Sequence, residues 1–361
     1  MGRILNEMRR SPLLWLLVFL PVALAGERLW PERHTLIFLL SVLAIVPLAA
    51  LLSRATESVA ARTGDAVGGL LNATLGNLTE LVIALTALQA GQYLLVKASI
   101  AGAIVTNTLF MLGGSFLIGG LRYHEQEFNR ISARVQSGLL FLATVALLVP
   151  SLVAQAEGSE AMMQSLSLGL AVLLILAYGL SMLFSLKTHK EAFASAGHGE
   201  AGEAPWPIGV ALGTLAVVTV LVALVSEVFV SSVQVAAETL GMSPAFVGFV
   251  VVAIVGAAAE MTTAFSAAAK DRLDLSVGIA LGSAAQIALF VAPLLVVLSY
   301  FVGPEPMSLQ FWPGAIAMML IATMAAALMT NGGRSAWFVG VMILMVYAIF
   351  ALTLFLLPPT P

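Results

Sequence analysis

Eleven apolar runs fill most of the chain, at residues 13–25, 35–53, 66–90, 94–120, 133–150, 163–186, 208–236, 244–269, 274–301, 312–329 and 335–357. Hydrocarbon offers a backbone N–H or C=O no partner, so a segment that crosses it must satisfy those groups within itself. A helix does so, and about 20 apolar residues carry one across a bilayer core. Each run reaches that length or comes near it. The expected fold is an all-α polytopic membrane protein with about eleven transmembrane helices. Charge content agrees: 10% of residues are Asp, Glu, Lys or Arg, against about 25% in a soluble domain. No cysteine is present, which excludes disulfides, thiolate metal sites and a cysteine nucleophile. No long hydrophilic domain interrupts the runs, so the activity belongs in or at the bilayer.

The first run follows Arg3, Arg9 and Arg10 and ends in Ala23-Leu24-Ala25. It reads either as a cleaved signal peptide or as a short retained helix, and the retained helix is the favoured reading. Threading the runs alternately puts thirteen of the sixteen Lys and Arg residues on one side, with Arg28, Arg33 and Lys97 on the other. Positive loops stay in the cytoplasm. The N-terminus is therefore expected inside and the C-terminus outside.

The runs are not independent. Shifted by 180 positions, Val67, Gly68, Ala73, Gly76, Glu80, Gly102 and Phe110 fall on Val247, Gly248, Ala253, Gly256, Glu260, Gly282 and Phe290, with no gap over residues 66 to 110. Alanine and valine matches are cheap in so apolar a chain. Glycines in phase with an intramembrane glutamate are not. The pattern marks an internal duplication in which runs two to six match runs seven to eleven. Five crossings per half turn the second half over, which makes an inverted repeat, and such folds bind substrate near the midplane between the repeats. The expected division is 1–34 for the N-terminal segment and first helix, 35–186 for one half, 187–207 for a cytoplasmic linker and 208–361 for the other half. His189 and His198 in the linker are expected to be solvated, with metal sensing as the alternative.

Glu80 and Glu260 are the equivalent acids, each near the middle of its run. A charge at that depth costs roughly 2.5–3.5 kcal/mol on insertion scales, and no intramembrane Lys or Arg of the neighbouring runs pairs with either. If the two met while ionised they would repel each other. A divalent cation between them removes the repulsion, and so does one proton on each. The pair suits the exchange of one hard cation for about two protons. Asn72, Gly76 and Glu80 share one helical face, and Asn77 lies one turn before Glu80. Gly76 and Gly256 each precede a glutamate by one turn, where a helix can open and offer carbonyl oxygens. Asn107, beside Thr106, and Ser283 with Gln286 add neutral oxygens on the following runs. Such donors suit Ca²⁺ or another hard cation, not a soft metal. Structural readings compete with these roles. Asn107 and Gln286 also serve as interhelical glue. Thr262, Thr263 and Ser266 are expected to bond their own helix, and Gly68, Gly102, Gly248 and Gly282 to permit close packing. Glu57 and Glu238 sit near helix ends, as entrance groups or as solvated ones.

The stretch Asn72-Ala73-Thr74-Leu75-Gly76-Asn77-Leu78-Thr79-Glu80 resembles the first signature of the calcium/proton exchangers, the CAX branch of the cation/calcium exchanger superfamily. Thr56-Glu57 with Gly68-Gly69, Gly241 to Glu260, Gly282 to Phe290, Tyr178 to His189 and Asn331 to Tyr347 are similar to further segments of that family. The resemblance spans nearly the whole chain. It implies eleven helices, an inverted repeat and a cation site on Glu80 and Glu260, with supporting roles for Asn77, Asn107, Ser283 and Gln286. Two positions depart from the pattern. The second signature normally reads Gly-Asn-Ala-Ala-Glu-His; here Ala257 replaces the Asn and Met261 the His. One amide ligand and one titratable neighbour of Glu260 are gone, which bears on selectivity and proton coupling more than on fold. The acidic segment between the halves is reduced to Glu200 and Glu203.

The expected activity is secondary transport: Ca²⁺ or a similar cation leaves the cytoplasm in exchange for protons, by alternating access. The transported ions and the lipid bilayer are the partners, with no cofactor and no nucleic acid, and homo-oligomerisation is left open. The expected location is the plasma (inner) membrane of a prokaryote. A sodium- or potassium-coupled exchanger is the first alternative. A channel is disfavoured because channels use rings of repeated filters. An intramembrane enzyme is disfavoured because no H-E-x-x-H or G-x-S-x-G occurs.

Overall fold

The computed structural model describes residues 12–63, 65–153, 160–189 and 205–357. Arg3, Arg9, Arg10 and most of the linker, with His198, Glu200 and Glu203, lie outside the described residues. A 3₁₀ turn at Pro12–Val18 leads into α1 (Phe19–Leu29). There follow α2 (His34–Thr63), α3 (Asp65–Leu75), α4 (Leu78–Gln89), α5 (Tyr93–Tyr123), α6 (Arg130–Leu152) and α7 (Ala161–Thr188). The second part holds α8 (Ile208–Thr239), α9 (Pro244–Gly256), α10 (Ala258–Ala268), α11 (Leu273–Val302), α12 (Pro313–Thr330) and α13 (Trp337–Leu356).

Among the described residues, eight of these helices are long and apolar enough to cross a membrane in one piece, and α9 with α10 makes a ninth span bent by 59°. The other two expected runs are built from shorter pieces: the first from the 3₁₀ turn and α1, the third from α3 and α4. The third and eighth runs break at equivalent places. Asn77 (φ −100°, ψ 32°) and Ala257 (φ −78°, ψ 3°) leave helical geometry just before α4 and α10. α2 and α8 lie against each other, with Phe38 and Phe229 rings 5.4 Å apart.

The loops gather at two ends, as alternate threading requires. At one end Ser231 bonds Glu27 and Gln92 bonds the Val230 carbonyl. The segment 303–312 is strapped across this end. The Tyr93 hydroxyl donates to the Glu305 carbonyl at 2.6 Å, and Lys97 Nζ donates to Ser308 Oγ at 3.3 Å. The backbone N–H groups of Met307, Leu309 and Phe311 donate to the hydroxyls of Ser299, Ser167 and Ser151. At the opposite end β1 (Glu125–Glu127) pairs antiparallel with β2 (Arg334–Ala336), reinforced by Arg334 and Glu127 at 2.6 Å. Gln126 Nε2 donates to the Ala268 carbonyl and to Asp271 Oδ1. Apolar patterning does not announce this ladder, because three-residue strands in a polar loop carry no hydrophobic period.

The crossings inside the bundle are unequal. α5 meets α9 backbone to backbone: a Cβ on Gly102 would lie 2.2 Å from the Phe249 carbonyl oxygen, and one on Gly248 would lie 2.7 Å from Ala98 Cβ. The duplication calls for a counterpart in which α11 crosses α3 through Gly282 and Gly68. That crossing is not made. A Cβ on Gly282 would meet Gln136 Nε2 at 3.5 Å, and one on Gly68 would meet the Ala60 carbonyl of α2 at 2.1 Å. Leu70 and Asn72 of α3 are exposed instead. Three of the four glycines expected at close contacts are there, and Gly282 is not.

Candidate functional site

The two breaks put Glu80 in the first turn of α4 and Glu260 in the first turn of α10. Helix N-termini carry partial positive charge, which favours carboxylates there. Both side chains are half-buried. The glycines before them do more than open the helix. A Cβ on Gly256 would lie 2.9 Å from Glu80 Cγ and 3.2 Å from its Oε1, and one on Gly76 would lie 3.3 Å from Gln286 Oε1. Each glycine thus leaves room for a polar side chain that arrives from the other repeat. Glu260 lies within electrostatic reach of Ser283, of Glu80 and of Glu57.

A chain of polar atoms crosses this point. Asn107 Nδ2 donates to Ser283 Oγ at 2.9 Å, and Ser283 Oγ donates to Asn77 Oδ1 at 2.8 Å. Asn77 Nδ2 donates to Gln286 Oε1, and Gln286 Nε2 donates to the Tyr178 hydroxyl at 3.1 Å. Members from residues before and after the linker alternate along the chain, so it stitches the repeats together at the depth of the acids. Asn107 and Gln286 thus join helices of the two repeats, as their reading as interhelical glue expects. π-helical turns at Thr106–Met111 and Ile287–Val291 occupy equivalent places in α5 and α11. Such turns add a residue to the helix and recur at functional sites.

Two buried acceptor oxygens of this cluster have no hydrogen-bond partner among the described residues: Glu260 Oε2 and Asn107 Oδ1. A buried unpaired acceptor costs about 1–3 kcal/mol, so these atoms fit a proton or a cation. Two carboxylates, two amides, a hydroxyl and a third amide at Gln286 form the donor set of a hard cation. Among the described residues no group of three or more His, Cys, Asp and Glu is placed to hold a metal. The fixed charge here is low, which suits an ion that must leave again.

The departures in the second signature fit the packing. Ala257 and Met261 are buried. Under the 180-position shift, Asn77 corresponds to Ala257, Ser283 to Ala103 and Gln286 to Thr106. These three polar residues have smaller side chains at their equivalent positions, while Asn107 corresponds to the apolar Ile287. Among the remaining expected groups, Asn72 is exposed and its carbonyl accepts the Gly76 N–H. Thr262 and Thr263 bond their own helix as expected. His189 stacks on Phe184 with ring centroids 4.1 Å apart. The sequence reading missed Tyr178 and Tyr347 as neighbours of the site.

A family model described as sodium/calcium exchanger protein matches residues 33–187 and 210–356. The Ca(2+)/H(+) antiporter of Aphanothece halophytica is 40% identical over 96% of both chains, and Ca(2+)/H(+) antiporter ChaA of Bacillus subtilis is 40% identical over 93% of this chain and 96% of its own. The solved structure of native YfkE superposes with a TM-score of 0.82 at 37% identity, covering 95% of this chain and 98% of its own. The bent helices, the paired acids and these matches agree: this chain is an integral membrane protein that belongs to the sodium/calcium exchanger protein family.

Proposed function

We propose that this protein exchanges Ca²⁺ for protons by alternating access, with Glu80 and Glu260 binding either ion. The observation that carries the reading is the meeting of two acids, from equivalent helix breaks, inside one cluster of neutral oxygen donors. Ca²⁺ bridges the ionised pair; protons replace it one per carboxylate, so the same oxygens serve both ions in turn. Asn77, Asn107, Ser283 and Gln286 supply neutral ligands, and carbonyls beside Gly76 and Gly256 complete the set. No chemical step and no cofactor is required. Relatives named Ca(2+)/H(+) antiporters support the choice of ions. The charge bias of the loops supports a cytoplasmic N-terminus, and bacterial relatives support a prokaryotic plasma membrane, with Ca²⁺ leaving the cell.

The test is ⁴⁵Ca²⁺ uptake into inverted membrane vesicles under an imposed proton gradient. Uptake should collapse when a protonophore removes the gradient. Uptake that ignores the protonophore and follows a Na⁺ or K⁺ gradient instead would replace the proton with a monovalent cation and favour the sodium- or potassium-coupled alternative.

A further inference from the structure

Each repeat brings a tyrosine to the same point of its partner helix. Tyr178 of α7 accepts the Gln286 amide at 3.1 Å, and its ring stacks on Phe290 with centroids 5.4 Å apart at 26°. The Tyr347 hydroxyl of α13 lies 3.4 Å from Thr106 Oγ1, and its ring is 5.2 Å from Phe110 at 50°. Thr106 and Gln286 are equivalent under the 180-position shift, and so are Phe110 and Phe290. Both tyrosines are buried. The coincidence of polar contact and ring contact in both repeats is more than packing of one aromatic residue requires.

We propose that Tyr178 and Tyr347 are a symmetric pair of positioning residues, and that Tyr178 anchors the outer end of the amide chain so that its oxygens stay turned to the cation. This rests on the exchange reading of the site. A primary amide has an acceptor end and a donor end. Turned over, it presents N–H to a cation and repels it. Gln286 Nε2 donates to the phenol oxygen, which ties that end of the amide to α7, and removing the hydroxyl removes the tie. Gln286 Oε1 is then left for Asn77 Nδ2, and Asn77 Oδ1 in turn is left for Ser283. Reversing Gln286 would set two NH₂ groups face to face. Tyr347 holds a hydroxyl, which has no wrong way round. The two tyrosines are alike in place and unequal in consequence.

The test compares wild-type, Y178F and Y347F proteins, since phenylalanine keeps the ring contact and removes only the hydroxyl. Purified protein is titrated with Ca²⁺ while its melting temperature is followed, and the same proteins in proteoliposomes give initial uptake rate against Ca²⁺ concentration. Y178F should raise the half-saturating Ca²⁺ concentration about three- to tenfold in both measurements, the equivalent of one hydrogen bond. The loss should fall on half-saturation, not on the maximal rate or on the Ca²⁺-free melting temperature. Y347F should shift half-saturation by less than about twofold. Unchanged half-saturation in Y178F overturns the proposal. So does a lowered Ca²⁺-free melting temperature with no shift in half-saturation, which is the mark of a packing role, and so does an equal shift in both variants. The melting titration needs no proton movement. A wild-type protein that binds Ca²⁺ but moves no protons sinks the exchange reading, and the shift in Y178F still decides the tyrosine.

Discussion

At the scale of residues, the site is defined by two carboxylates and by what is kept small around them. Glu80→Gln and Glu260→Gln keep shape but can neither carry a proton nor supply charge, so each should abolish uptake while the protein still inserts. Near-normal exchange by either variant would remove that residue from the obligatory set. Gly256→Ala tests the cleft itself. Its new methyl group would lie 2.9 Å from Glu80 Cγ, too close for both to stay. The carboxyl must shift, and the rate should fall about tenfold or more, as it does when reacting groups are misplaced. An unaltered rate in ⁴⁵Ca²⁺ uptake would show that Glu80 does not act from this position. If protons and Ca²⁺ compete for the same oxygens, as proposed, lowering pH on the loading side should raise half-saturating Ca²⁺ and leave the maximal rate attainable at high Ca²⁺. A maximal rate that falls with half-saturation fixed would mean that protonation acts elsewhere. Met261→His with Ala257→Asn would restore the family's imidazole and amide. His titrates near neutrality, so this double variant should change the pH profile and raise the preference for Ca²⁺ over Na⁺ and K⁺. Identical profiles would show these two departures to be silent.

At the scale of elements, the unequal crossings predict a second packing. α5 and α9 touch through Gly102 and Gly248, while α3 and α11 hold matching glycines apart. If the repeats exchange roles during transport, α3 should close on α11 in the other state. Cysteines at Leu70 and Gly282, added to a chain that has none, should then be joined by a short cleavable thiol cross-linker, and joining should arrest transport until the link is cut. No cross-link in actively transporting membranes would rule out this closure. This asymmetry was not legible in the sequence, because a duplication states which contacts are equivalent but not which of two is made. What was legible followed from phase. Gly76, Glu80, Gly256 and Glu260 carried the breaks and the acids, and Asn77, Asn107, Ser283 and Gln286 do come together. The tyrosines escaped because Tyr178 and Tyr347 are 169 positions apart, out of step with the shift that reveals the other pairs. One turn shows the shift surviving a change of residue. Gly91 has φ +71°, and at its counterpart Asp271 has φ +58°. Glycine takes that conformation freely, and Asp is among the few others that tolerate it. Asp271 also accepts Gln126 Nε2 there at 2.9 Å, a bond that glycine could not make.

At the scale of the whole molecule, the two ends are built differently, and that difference can be tested without assuming the ion. One end is closed by the strap at 303–312, whose backbone N–H groups are held by serine hydroxyls from three helices. The other end carries the ladder of β1 and β2 and the polar contacts of Gln126, Asp271 and Arg334. Loop charges predict that the second end faces the cytoplasm, since Arg122, Arg130, Arg134, Lys270, Arg272 and Arg334 all belong to it and cytoplasmic loops collect Lys and Arg. Single cysteines in 121–131 should therefore react with an impermeant thiol reagent only from the cytoplasmic side. Those in the 187–204 linker should do the same, because the first helix and the five crossings of the first half together make an even number and bring the linker back to the side where the chain began. Cysteines in 155–160 and 303–307 should react only from outside. Intact cells and inverted vesicles present the two sides separately, so each position is its own control. Labelling of 187–204 from outside would give the first half an even number of crossings, and an even number cannot invert the second half. It would leave Glu80 and Glu260 on helices of the same orientation, and the proposal that opposed half-helices bring both acids to one cation would lose its topological basis.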